Sequence, residues 1–430
     1  MQVFEEPEMQ EWEALLKRPN FDAAQLLPKV QTILEAVAKE GDVALYRYSA
    51  EFDQVQLKTI AIDPLMVEQA AQLLTPALKT AIQSAKVNIE IFHQAQIKKE
   101  EKIETMPGVW CWRKAVGIEK VGIYIPGGTA PLFSTVLMLG IPAKLAGCKE
   151  VVLCTPPRKD GTVDPAILYA ANLVGIQQIY TIGGVQAIAA MAFGTETVPK
   201  VFKIFGPGNQ YVTAAKQLIQ QQGVAIDMPA GPSEVCVYAD ETAVPAFVAA
   251  DLLSQAEHGA DSQVLLIASN KNIVDLVQAE LELQLATLPR QAFATKALEN
   301  SKAIVVAARE DAIQLINAYA PEHLILSIDN ALVVAEKIIN AGSVFIGNYS
   351  PESVGDYASG TNHTLPTNGH AKAYSGVSVD SFVKKITFQQ LTEMGLKNIA
   401  QTVIQMATGE QLEAHAQAVA IRVKDIESKM

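Results

Sequence analysis

Only four cysteines (Cys111, Cys148, Cys154 and Cys236) are spread over 430 residues. They are too few and too scattered for a disulfide framework, and with no CxxC pair no thiolate zinc cluster is visible. Aromatic residues are scarce at 6%, which argues against a stacking platform for nucleic-acid bases. No apolar run approaches the roughly 20 residues of a membrane span. The opening MQVFEEPEMQEWEALLKRPNF is acidic and lacks the apolar stretch of a secretory signal. A GxGxxG dinucleotide fingerprint is missing too. Basic residues are outnumbered, 34 against 46 acidic ones, for a net charge of −12. Such a chain repels phosphate backbones, so nucleic acid is not expected as its main partner. What remains is a globular, cytoplasmic protein with reduced thiols.

What is present fits that class. The hydrophobic share is 49% and the charged share 19%, ample for buried cores, and the length predicts two to four domains. Residues 1–20 read as a short amphipathic arm ending at Pro19-Asn20. From Pro28 to about Gln96 the pattern is mainly helical, with Val30, Ile33, Leu34 and Val37 at helical spacing. Beyond that, short β-rich runs alternate with helical stretches. The predicted strands are 117–125, 150–154, 178–182, 225–228, 235–238, 264–267, 304–307, 324–326 and 344–346. This alternation predicts parallel βαβ units in two groups, before and after about residue 230, hence two α/β lobes with a cleft between them. Residues 347–379 are polar and rich in Gly, Ser, Asn and Pro, and a long irregular stretch of this kind is usually functional or disordered. Residues 383–430 read as helix, broken near Gly409.

Candidate chemistry gathers late in the chain. Gln255 and His258 lie three apart at a predicted helix end and share a face. With Asp356 in the polar loop and His415 on the last helix they would make a mixed nitrogen and oxygen set that suits zinc. Taken singly, each reads as well as a surface residue or a histidine at a helix terminus. Glu322 and His323 are adjacent at a helix-to-strand turn, where such a pair can take protons at neutral pH; the bland alternative is a surface Glu beside a half-buried His. His363 lies in the polar loop, while His93 and His370 look structural or solvated. Two glycine turns, 125–129 and 206–209, follow predicted strands and could bind phosphate through backbone amides, or be tight turns only. A covalent role for Cys154 is rejected, because no base neighbours it in sequence.

The longer blocks carry more. GIYIPGGTAPLFSTVLML (122–139), GGVQAIAAMAFGTETVPKVFKIFGPGN (183–209), DMPAGPSEV (227–235), DLLSQAEHG (251–259), APEHL (320–324), SPESVGDYASGTNHTLPT (350–367) and EQLEAHAQA (410–418) together make the chain resemble the histidinol dehydrogenases. These zinc enzymes complete histidine biosynthesis. The resemblance implies zinc ligands at Gln255, His258, Asp356 and His415, and acid/base roles for Glu322 and His323. It puts Ser233, His363 and Glu410 in contact with substrate, alongside His323 and the four ligands. Tyr124, Gln186 and Asn209 would contact NAD.

The same resemblance implies an intertwined homodimer in which His415 completes the partner's zinc site. Its fold would be two incomplete Rossmann-like lobes: 21–123 with 234–377 carrying most of the active site, and 124–233 carrying the NAD contacts. A helical arm (1–20) and a helical C-terminal segment (378–430) reaching the partner would flank them. The implied reaction takes L-histidinol through L-histidinal to L-histidine with two NAD reduced. His323 would take the alcohol proton and Glu322 would activate water, while zinc positions the substrate. Competing readings are a zinc hydrolase in which Glu322 activates water and a non-catalytic, zinc-stabilised binding protein.

Overall fold

Apolar runs such as Val151-Val152-Leu153 suit strands covered on both faces, the condition of parallel sheets. The computed structural model describes residues 1–18, 23–127 and 130–429, with backbone alone at 23–25. The arm's end at Pro19-Asn20 and Gly128-Thr129 of the first glycine turn lie outside the described residues. Two units are present: Met1–Gln96 with Ile118–Phe382, and Ile97–Gly117 with Val383–Met430.

The larger unit holds two parallel sheets. One has five strands in the order Gln178–Thr181, Glu150–Thr155, Lys120–Tyr124, Lys203–Phe205, Ala225–Ile226. Its order reverses at Lys120–Tyr124, which leaves a crevice beyond Tyr124 of the kind where open α/β sheets take ligands. The other has six, in the order Gln2–Glu5, Lys302–Val305, Gln263–Ala268, Glu234–Ala239, His323–Ser327, Ser343–Ile346. Its order reverses between Glu234–Ala239 and His323–Ser327. The expected two-lobe α/β architecture is therefore present.

The packing corrects several details. Residues 1–20 are not a purely helical arm: Gln2–Glu5 is a strand paired with Lys302–Val305. The predicted strand 117–125 is the end of one strand, Val109–Gly117, and a second, Lys120–Tyr124. The resemblance groups the helices between Ala23 and Gln94 with the first lobe. Their apolar faces instead fill the lobe of the five-stranded sheet: Val30, Leu34 and Leu45 join Ile188 and Met191 in one core, while Ile82 and Ile89 join Val136 and Leu139 in another. The helix Phe133–Leu145 is apolar on nearly every side and buried accordingly.

The smaller unit is a three-stranded antiparallel sheet and a helix pair. Val109–Gly117 lies between Ile103–Met106 and Val383–Leu391. Helices Glu393–Gly409 and Glu413–Ser428 pack on each other and are separated near Gly409, as expected. The segment 378–430 is not all helix, because Val383–Leu391 is a strand paired over nine residues. No described helix is long and apolar enough to cross a membrane.

Candidate active site

Chain turns at the facing edges of the two lobes form a cleft of about 340 Å³. Tyr124, Asn209, Ser233, His258, Glu322 and His363 all line it. The five-stranded sheet presents its carboxyl edge here, through Tyr124 and the turn after Phe205. The six-stranded sheet presents its amino edge: Ser233 and Glu322 directly precede strands Glu234–Ala239 and His323–Ser327. The second lobe thus departs from the carboxyl-edge rule for α/β sheets.

The helix Arg309–Tyr319 stops at Ala320, whose φ of 53° is left-handed, and Pro321 follows. The chain then enters the sheet with Glu322 and His323 already buried. Glu322 Oε2 accepts the Glu234 backbone N–H at 2.8 Å. His323 Nδ1 lies 3.2 Å from the Glu234 carbonyl oxygen and 3.6 Å from Glu322 Oε2, and Nε2 lies 3.2 Å from Asp356 Oδ1. Burial pulls the His323 pKa down, but the Glu322 charge, the Asp356 hydrogen bond and the charge of Glu352 together hold it well above its ordinary value. Burial pushes the Asp356 carboxyl up; His323, His363 and His258 outweigh this and leave it below the usual carboxylate value.

His363 has both ring nitrogens engaged. Nδ1 is 2.7 Å from the Asp356 carbonyl oxygen and Nε2 is 3.0 Å from Thr135 Oγ1. A carbonyl only accepts, so the network assigns the proton to Nδ1 and lets the Thr135 hydroxyl donate to Nε2. Burial lowers the pKa of this imidazole, consistent with a neutral ring.

The metal question turns on Gln255. Its side chain is buried, and neither Oε1 nor Nε2 has a hydrogen-bond partner. An unpaired buried carboxamide is costly, and a cation facing Oε1 would satisfy that oxygen. Together with the Asp356 carboxylate and the exposed His258 imidazole, the donor set fits zinc. Among the described residues no three His, Cys, Asp or Glu side chains of one chain cluster around a metal position. Glu410 and His415 are exposed in the smaller unit, at the end of one helix and the start of the next.

Two carboxyl groups here escaped the sequence reading. Burial pushes Asp251 up to about 7 and Glu352 up to about 8, and Glu352 Oε1 accepts the Ser254 hydroxyl at 2.6 Å. The available signal was helical spacing, since Asp251 precedes Gln255 by four residues and Glu352 precedes Asp356 by four.

The three residues expected at NAD have different settings. Tyr124 is buried and its hydroxyl accepts the Gly184 N–H at 3.0 Å. Gln186 is buried with Oε1 unpartnered. Asn209 is exposed and caps helix Gln210–Gln220, accepting from the N–H groups of Tyr211 (3.0 Å) and Val212 (3.1 Å). Those two amides are already taken, and within the 206–209 turn the Gly206 N–H is engaged with Asp227. Gly206 is required sterically: its φ is 123°, and a Cβ there would stand 2.1 Å from the Tyr124 carbonyl oxygen. Cys154 is buried and its thiol pKa is raised by that burial, so a thiolate role is disfavoured.

Beneath the same turn, Lys216 pairs with Asp227 at 2.5 Å and donates to the Gly206 carbonyl at 2.8 Å, both side chains being buried. Asp227 also accepts from the N–H groups of Gly206 and Met228. Lys216→Met removes one partner of a buried pair and is expected to cost about 3–5 kcal/mol, read as a lower urea midpoint. A midpoint equal to the parent's would show that Asp227 is satisfied by the amides alone.

The model of the histidinol dehydrogenase family matches residues 16–423. A histidinol dehydrogenase of Bacteroides thetaiotaomicron is 58% identical over 99% of this chain and 100% of its own length. One of Mannheimia succiniciproducens is 52% identical over 97% of both chains. The crystal structure of histidinol dehydrogenase from Elizabethkingia anophelis superposes with a TM-score of 0.97 at 56% identity, covering 99% of each chain. These likenesses do not favour a hydrolase.

Proposed function

The chain belongs to the histidinol dehydrogenase family, and on that premise we propose a four-electron oxidation of L-histidinol through L-histidinal to L-histidine, with NAD as oxidant and one zinc per subunit. The observation that carries the metal-dependent part is the orphaned, buried Gln255 carboxamide, one helical turn from His258, which lines the cleft. Gln255, His258 and Asp356 would hold the zinc from one subunit and His415 from the partner of a homodimer. When bound, zinc would supply positive charge facing the substrate's imidazole and amine nitrogens. NAD would supply the hydride acceptor, near Tyr124, Gln186 and Asn209.

The chain's own groups divide the proton work. In the alcohol step His323, in its neutral form, accepts the hydroxyl proton as hydride leaves the carbon. In the aldehyde step Glu322 takes a proton from water, whose oxygen adds to the carbonyl carbon while His323 returns its proton to the carbonyl oxygen. His323 then accepts a second hydroxyl proton as the hydrate loses hydride. Ser233, His363 and Glu410 hold the substrate, and His363 enters as a neutral ring fixed by Thr135. Holding the reacting carbon between base and acceptor is itself worth several kcal/mol. All four cysteines are free, which suits the cytoplasmic location we assign.

The deciding experiment counts NADH formed per histidinol consumed by purified, zinc-loaded protein. Two NADH with histidine as product is the expected result. One NADH with free aldehyde would remove the second oxidation and with it the role of Glu322.

A further inference from the structure

We propose that Arg18 is a positioning residue for the Glu322–His323 pair, acting through Glu234. The inference rests on the acid/base roles given to that pair above. Arg18 grips the Glu234 carboxylate with two N–H···O bonds, Nε to Oε1 at 2.5 Å and Nη2 to Oε2 at 2.8 Å. Nη2 also donates to the Tyr319 carbonyl at 2.9 Å, and the guanidinium carbon lies 4.0 Å from the centre of the Tyr319 ring. The Glu234 side chain is 2% exposed and that of Arg18 13%. A two-pronged contact of this kind sets orientation as well as distance.

The residue so gripped is the one whose main chain holds the pair. Its N–H donates to Glu322 Oε2 at 2.8 Å, and its carbonyl oxygen faces His323 Nδ1 at 3.2 Å. Glu234 Oε1 also accepts the Asn368 N–H at 2.9 Å. The polar loop that carries His363 is thereby fastened to the same carboxylate. One side chain of the N-terminal arm thus reaches both the acid/base pair and the loop histidine without touching substrate. Stability alone is a weak account of the contact, because buried ion pairs are often replaceable by apolar groups at no net cost.

Arg18→Ala should lower kcat about 10–100-fold, the usual penalty for a small misplacement of reacting groups. The KM for histidinol and the zinc content should change less than kcat, since neither Arg18 nor Glu234 is among the residues proposed to hold substrate or zinc. Arg18→Lys keeps the charge but loses the fork, and should give an intermediate kcat. Guanidinium ion added to Arg18→Ala should restore part of the rate and leave Arg18→Lys unchanged. If Arg18→Ala fails to fold, Arg18→Lys carries the test through the same split of kcat from KM. A folded variant with parental kcat overturns the inference. So does a joint change in kcat, KM and zinc content, which would mark general support of the fold. Glu322→Gln and His323→Ala run in the same assay separate the two failures. If both keep parental kcat, the acid/base reading itself is wrong. If both lose it while Arg18→Ala does not, only the positioning role falls.

Discussion

A Glu322→Gln enzyme is expected to stall at the aldehyde. The glutamine keeps the shape of the side chain, and its carbonyl oxygen can still accept the Glu234 N–H that Glu322 Oε2 holds at 2.8 Å. What it loses is basicity. A positioned general base contributes about 10²–10⁴-fold, so oxidation of supplied histidinal should slow by that order. The alcohol step, for which His323 is the proposed base, should fall by roughly tenfold or less. Single-turnover rates measured from histidinol and, separately, from histidinal check this. Equal losses on both would sink the division of labour.

The same variant should move the pH profile in a definite direction. Burial lowers the His323 pKa, and the charge of Glu322 is the largest influence raising it. With that charge gone the imidazole loses its proton at lower pH. The ascending limb of the alcohol-step rate, which needs the neutral base, should therefore shift toward acid. A shift toward alkali would mean that Glu322 does not bear on His323 in the working enzyme.

How much of this the sequence revealed depends on where each signal lives. The buried strands were legible within a residue or two: 150–154 was expected and Glu150–Thr155 is found, 178–182 was expected and Gln178–Thr181 is found. Continuous apolar runs mark strands covered on both faces. Val383–Leu391 lies in a stretch whose sequence predicts helix; seven of its nine residues are exposed, so no continuous apolar run marks it as a strand. Gln2–Glu5 was missed for another reason. Its partner, Lys302–Val305, lies some 300 residues away, and four residues carry no period that local reading can weigh.

The site divides along the same line. Gln255 and His258 share a helix turn, so their pairing was visible. Glu322 and His323 alone read equally well as surface and core residues, and only the long sequence blocks lifted them above that. The fork from Arg18 to Glu234 spans 216 positions and left no trace in either local pattern. The orphaned atoms of Gln255 and Gln186 are likewise properties of packing. Residue type gave the donors, and only the fold shows which of them lack partners.

Two inactive proteins are expected to regain activity when their subunits are mixed. Gln255→Ala removes a proposed zinc donor supplied by the larger unit, and His415→Ala removes one supplied by the smaller. If His415 completes the partner's site, a mixed dimer holds one site with both lesions and one with neither. Random exchange by co-expression or refolding makes about half the dimers mixed, and half of their sites are intact, so about a quarter of parental activity should return. The zinc retained after dialysis should rise in step, because metal and activity would report the same intact sites. If His415 instead serves its own subunit, every site in every dimer carries one lesion and mixing restores nothing. Neither single variant touches Glu322 or His323, so a recovered rate would come from chemistry left whole and would bear on ligand placement alone.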